Sequence, residues 1–419
     1  MHDFTYKKNK LYCEQISIEN IVKKAGSPVY VYSHNTLVDH YDKLKKAFAD
    51  LAPLICYSMK ANSNLSVCKA LAKRGAGIDI VSGGELYRAK KIGVSGKKIV
   101  YASVGKTEEE IEAAIRAGIL FFNVESIPEL ELIDEVAGRL SKKQGVAIRI
   151  NPDVDAHTHH YITTAKKQNK FGIDIGTTRR IFLQLSKKLK NVNLCCIHVH
   201  IGSQIEDVTP FIEALKKSIA LIDELNEKGV GITHLNIGGG LGITYSDERP
   251  QTAQDYARAI IPILKGRKLK LILEPGRFIA GNAGILVTKV VYVKDTPAKR
   301  FIIVDAAMND LIRPAFYDAH HDILPVKADK KSRLKKADVV GAICESGDFI
   351  AKDRRLPCDL KQKDLLAVMS AGAYGFTMSS NYNSRRRAAE VLVKGNRCWI
   401  ITKRETYADL VKNEVVVNL

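Results

Sequence analysis

The sequence predicts an α/β chain: a (β/α)8 TIM barrel over residues 35–279, followed by a mostly β domain built from residues 1–34 and 280–419. Three observations carry this. Short β-branched runs alternate with amphipathic stretches of helical period, the pattern of parallel strands joined by crossover helices. Eight such runs fall within about 240 residues, the size of a (β/α)8 barrel. After Gly281 the β-like runs continue, but long amphipathic helices no longer separate them. A doubly wound open sheet is the alternative, and the strand count favours the barrel.

The eight barrel strands are expected at 54–58, 77–81, 99–102, 121–124, 146–150, 194–200, 234–237 and 270–273. The first four recur every 22 residues, by Tyr57, Asp79, Tyr101 and Asn123. Leu37, Tyr41, Leu44 and Phe48 form one stripe of the first barrel helix. Thr107 with Glu110 and Ser126 with Glu129 each fit a capping box, and Gly118 stands where a C-cap belongs. Thr209-Pro210 opens a helix with proline at its first position, and Gly229 ends it. In the second domain β segments are expected at 285–293, 300–304, 339–344, 365–369, 389–393 and 398–401. The early run 29–33 reads as a strand added to that domain.

Composition bounds the function. The chain has 419 residues, is 46% hydrophobic and carries a formal charge of +19. Such a charge raises the question of nucleic acid. The excess is spread along the chain, however, apart from the run Lys327–Lys336 and the triplet Arg385-Arg386-Arg387. Neither is interleaved with aromatics as a single-strand groove would be, so no nucleic-acid partner is expected. No window approaches 18 uninterrupted apolar residues, so no membrane span is expected. The start has no apolar h-region. The eight cysteines form no C-x-x-C pair and read as reduced thiols of a cytoplasmic protein.

Chemistry in a barrel gathers at the C-terminal ends of its strands. Strand one ends in Lys60 beside small residues. A surface lysine is the bland reading, but a partly desolvated lysine is also a Schiff-base nucleophile. Strand six ends His198-Val199-His200, and residues two apart share a face. A hydrogen-bonded core pair is the default there. A metal would lack a clear third ligand, and none is expected. His157, His159 and His160 form a further cluster, read as a solvated loop. Strand seven ends in Gly238-Gly239-Gly240-Leu241-Gly242, and strand eight in Glu274-Pro275-Gly276-Arg277. Glycine-rich turns let backbone N–H groups approach an anion, and barrels often hold phosphate after strands seven and eight. A lysine, a phosphate cradle and a strand-end carboxylate together describe a pyridoxal 5'-phosphate site.

These motifs and others in the same order resemble the diaminopimelate decarboxylases, fold-type III pyridoxal phosphate enzymes with an alanine-racemase-like barrel and a β domain. The similar segments are YSMKAN from Tyr57, DIVSGGE from Asp79, HVHIGSQ from His198, GGGLG from Gly238 and EPGR from Glu274. They continue with MNDLIRPAFY from Met308, CESGD from Cys344, AGAYG from Ala371 and MSSNYN from Met378. The resemblance covers roughly residues 29 to 393. It implies decarboxylation of meso-2,6-diaminopimelate to L-lysine and carbon dioxide, the last step of lysine biosynthesis.

It also implies roles. Lys60 would carry the Schiff base, His200 would stack on the cofactor ring, and Glu274 would pair with the ring nitrogen. Asp79 would contact the cofactor, and Ser203, Gly239, Gly240, Gly276, Arg277 and Tyr374 would hold its phosphate or the surroundings of that phosphate. Arg277, Arg313, Tyr317 and Tyr374 would bind the amino-acid substrate, with Glu345 taking its far ammonium. Cys344 would donate the proton. Cys344 and Glu345 would reach the site from the other subunit of a homodimer with shared active sites. Two positions depart from the pattern, Ala342 and Arg386, where proline is usual. The alternatives are a polyamine-pathway decarboxylase acting on ornithine, arginine or carboxynorspermidine, and a non-catalytic regulator on the same fold.

Overall fold

The computed structural model describes residues 2–155, 170–329 and 331–419. The histidines at 157, 159 and 160 lie outside the described residues. The chain forms two compact units. One comprises Asp39–Ile243 and Arg249–Phe278; the other comprises Met1–Val38, Thr244–Glu248 and Ile279–Leu419. Nothing in the sequence marked 244–248 as belonging with the β segments.

The first unit is a closed parallel barrel. Its strands are Leu54–Ser58, Gly77–Ile80, Ile99–Tyr101, Phe121–Val124, Gln144–Asn151, Val192–Val199, His234–Asn236 and Lys270–Leu273. Each pairs with the next in chain order, and Ile272 opposite Leu54 closes the ring. A short strand, Ile173–Asp174, adds beside Gln144–Asn151. The strands are buried because helices cover parallel sheets, so their apolar runs need not alternate. Cys56, Val100, Phe121, Ala147, Cys196 and Ile272 pack into one cluster within the barrel.

The helix punctuation follows the local chemistry. Thr107 and Glu110 make the full reciprocal box. Ser126 accepts the N–H of Glu129, but the return bond is missing. The Glu129 carboxylate instead takes Lys106 at 2.6 Å and the N–H of Glu125 at 2.9 Å. With one oxygen on the buried lysine and the other on the Glu125 amide, the carboxylate makes no bond to the Ser126 N–H. Helix Thr209–Glu227 begins one residue ahead of the expectation, with Thr209 rather than Pro210 in its first position, and Gly229 beyond it has φ +82°.

The second unit holds a sheet with strand order Phe349–Pro357, Leu334–Val340, Arg300–Val304, Gly284–Asp295, Val29–Ser33, Ala389–Lys394 and Arg397–Thr402. Val29–Ser33 lies in its middle, antiparallel to Gly284–Asp295 and parallel to Ala389–Lys394. Its residues are all buried, with Val29, Val31, Ile285, Val287, Ala367 and Val391 in one core. Three short N-terminal strands, Phe4–Lys7, Lys10–Cys13 and Ile16–Ser17, form a separate antiparallel sheet that the sequence did not announce.

One expected strand is corrected. The segment 339–344 stops pairing after Val340, and Cys344 sits in a turn. Asp348 causes this: its carboxylate accepts the N–H of Ile343 and of Met308, both at 2.7 Å. Those bonds pull the chain off the ladder. Of the two departures from pattern, Arg386 lays its guanidinium 4.6 Å from the Tyr407 ring centroid.

Candidate active site

The barrel rim collects nine of the expected residues in one unit. The first strand runs into a 3-10 turn, Met59–Ala61, which carries half-buried Lys60. Pairing of Ser58 with Asp79 brings the second strand's end alongside, and Ser58 Oγ donates to Asp79 Oδ2 at 2.6 Å. Asp79 Oδ1 is buried and accepts no hydrogen bond. Burial, then the charge of Glu274, push the Asp79 carboxyl well above the usual range, against the pull of Lys60.

Glu274 follows the eighth strand. Its Oε1 accepts from Asn123 Nδ2 at 2.9 Å and from Asn236 Nδ2 at 2.6 Å. Its Oε2 lies 3.2 Å from His198 Nε2. Burial alone would raise its pKa, but His198 and Asn236 overcome that and hold it at about 2. Glu274 is therefore an anion inside the barrel. His198 is explained as its partner, and no metal-binding cluster exists among the described residues. Sequence motifs alone did not point to Asn123 and Asn236. The one signal for Asn123 was its place in the 22-residue recurrence with Asp79.

His200 lies near Lys60 and Arg149. Burial first, then those two cations, press its pKa well below the usual histidine range, so the ring is neutral. Its Nδ1 accepts the N–H of Gly239 at 3.4 Å. The turns after strands seven and eight touch closely, which dictates glycine. A Cβ on Gly239 would sit 2.2 Å from the Glu274 carbonyl oxygen, and Gly240 has φ +114°. Gly276 backs onto Ser58 and Ala61, where a Cβ would lie 3.1 Å from each Cβ. Arg277 donates from Nε and Nη2 to Ser203 Oγ at 3.3 and 3.1 Å.

The β unit carries the other five. Arg313 and Tyr317 begin and end the helix Arg313–Tyr317. Arg313 is buried, with Nη1 2.8 Å from His321 Nε2. Cys344 and Glu345 are exposed. The N–H of Cys344 donates to Asn383 Oδ1 at 2.8 Å, and Tyr382 donates its hydroxyl to Glu345 Oε2 at 2.7 Å. Tyr374 adopts φ +56°, in the left-handed region.

The donor set of the barrel rim fits pyridoxal phosphate. A glycine turn and Arg277 suit a phosphate. A fixed anion suits a protonated ring nitrogen, an amine suits an aldehyde, and the orphaned Asp79 Oδ1 marks an acceptor left for a ligand.

That class is borne by the comparisons. Residues 34–281 match the pyridoxal-binding domain of the pyridoxal-dependent decarboxylases, to which the chain belongs. A diaminopimelate decarboxylase of Aquifex aeolicus is 50% identical over 408 residues, 97% of this chain and 96% of the relative. A solved M. jannaschii diaminopimelate decarboxylase, in co-complex with L-lysine, has TM-score 0.94 and 39% identity, covering 100% of this chain and 99% of that one. The Helicobacter pylori enzyme complexed with L-lysine has TM-score 0.91 and 41% identity over 94% of this chain and 98% of its own. More narrowly, then, the chain is a member of the diaminopimelate decarboxylase family.

Proposed function

We infer that this chain decarboxylates meso-2,6-diaminopimelate to L-lysine and carbon dioxide, using pyridoxal 5'-phosphate, as the last step of lysine biosynthesis. The observation that carries the chemistry is Glu274, a buried carboxylate kept ionised by three donors at the rim that holds Lys60. When bound, the cofactor supplies an electron sink for the pair left on the substrate carbon as carbon dioxide departs.

The chain's residues do the rest. Lys60 Nζ would anchor the cofactor's aldehyde carbon. Glu274 would keep the ring nitrogen protonated, and neutral His200 would cover the ring and exclude water. Asp79, Ser203, Gly239, Gly240, Gly276, Arg277 and Tyr374 would hold the cofactor. Arg277, Arg313, Tyr317 and Tyr374 would grip the substrate, and Glu345 its far ammonium. One carbon–carbon bond breaks, and a carbon–hydrogen bond replaces it with a proton from Cys344 Sγ.

Cys344 and Glu345 would serve the active site of a second copy, in a homodimer with shared sites. Their exposure on the single chain supports this, because a proton donor works best where water is excluded. Eight free thiols support a cytoplasmic location. Among the described residues no helix is long and apolar enough to cross a membrane.

Substrate choice rests on buried Arg313. Ornithine and arginine offer it no far carboxylate, and a buried guanidinium favours a substrate that brings an anion. The test is a carbon dioxide release assay with meso-diaminopimelate, ornithine and arginine side by side, with cofactor added. Comparable turnover of either basic amino acid would overturn the assignment.

A further inference from the structure

The guanidinium of Arg313 is held by two side chains that neither the motifs nor the resemblance singled out. Tyr245 places its ring against it, 4.6 Å from centroid to guanidinium carbon. His321 Nε2 stands 2.8 Å from Arg313 Nη1. The other ring nitrogen, Nδ1, is 2.8 Å from the carbonyl oxygen of Met369. A carbonyl only accepts, so Nδ1 carries the ring proton and Nε2 offers its lone pair. The tautomer is thus fixed from behind, and Nε2 accepts an N–H of the arginine. The Tyr245 and His321 rings meet edge-on, with centroids 5.4 Å apart and an interplanar angle of 82°.

Both supports are themselves anchored within the β unit. The N–H of Met369 donates to the carbonyl of Asp322 at 2.8 Å, next to His321. Tyr245 rides on the segment Thr244–Glu248, which belongs to this unit although the surrounding sequence belongs to the barrel. The Glu248 carboxylate accepts the N–H of Tyr245 at 2.9 Å and of Ser246 at 2.6 Å. Asn282 Nδ2 donates to the carbonyl of Thr244 at 3.0 Å. A ring face and an imidazole nitrogen orient a guanidinium without neutralising it.

We propose that Tyr245 and His321 are specificity-positioning residues that set the plane of Arg313 for the carboxylate at the far end of an amino diacid. This rests on Arg313 binding that carboxylate and adds the residues through which it works.

The test uses holoenzyme variants and two readouts. Tyr245→Leu and His321→Leu should each raise KM for meso-diaminopimelate about tenfold with kcat within about twofold. Tyr245→Phe keeps the ring and His321→Gln keeps an acceptor, so both should stay near wild type. Binding is then followed by the visible absorbance of the bound cofactor. L-Lysine, which retains a carboxylate, should lose about tenfold in affinity in the leucine variants. 1,5-Diaminopentane, which has none, should bind unchanged. Equal losses for both ligands, or a fall in kcat at constant KM, would overturn the proposal. Should His321→Leu fail to fold, Tyr245→Leu decides alone. Arg313→Ala separates the two levels. If it leaves KM unchanged, the substrate-binding role of Arg313 fails. If it raises KM while the leucine variants do not, only the clamp fails.

Discussion

The barrel rim and the β unit prepare their ionisable groups in opposite ways. In the barrel, Glu274 and Asp79 are buried, and their protonation is set by the chain's own atoms: His198 and two asparagines for one, burial and a neighbouring anion for the other. In the β unit, Cys344 and Glu345 are exposed, held in place by Asn383 and Tyr382 but left in water. A buried charge must be paired by the fold or it titrates away. An exposed one is cheap to keep and can be finished by whatever later covers it. The barrel rim thus fixes its anions with its own atoms, whereas Cys344 and Glu345 stand in water.

Lys60→Ala breaks the barrel half hardest. Turnover should fall by roughly 10³-fold or more, and the visible absorbance of lysine-bound cofactor should vanish from the spectrum. A variant that retained that absorbance would remove Lys60 from its role.

Cys344→Ala tests the other half. It should lower kcat by roughly 10²- to 10⁴-fold, the span of a positioned general acid. Cofactor absorbance and melting temperature should hardly move, because the side chain is exposed and packs little. Loss of the absorbance as well would erase the contrast between the two regions.

Asn236→Ala gives the smallest effect and the sharpest reading. Removing one donor from a buried carboxylate should cost about 1–3 kcal/mol of stability in urea. The pH dependence has a definite sign. Glu274 is depressed in the fold to about 2, so its stabilisation is present above the ordinary glutamate pKa and lost as pH falls through the folded value. In the variant that loss should begin at higher pH. Acid unfolding curves that superimpose for the two proteins would contradict the cage.

Much of the site is legible in the chain's residue order. The strand ends carried Lys60, Asp79, His200 and Glu274, because βα alternation fixes where strands stop and barrel chemistry sits at those ends. The expectation for 339–344 failed because β-like residues do not reveal that Asp348 will capture the Ile343 amide. Ser126 lost half its box because Glu129 turns to the Glu125 amide and to Lys106, and the approach of a lysine 20 residues earlier is not contained in local spacing.

The sequence by itself determined the order of elements, the glycines at the two touching turns and the residue types at the rim. These depend on local period and on backbone freedom, which are written in short windows. The tertiary structure alone decided who meets whom. Asn123 reaches Glu274 across 151 residues because closure of the barrel turns strand ends inward together. Tyr245 reaches Arg313 because five residues leave the barrel sequence for the other unit. Hydrogen bonds and ring contacts act over a few ångströms, so only the folded path of the chain brings such partners within range.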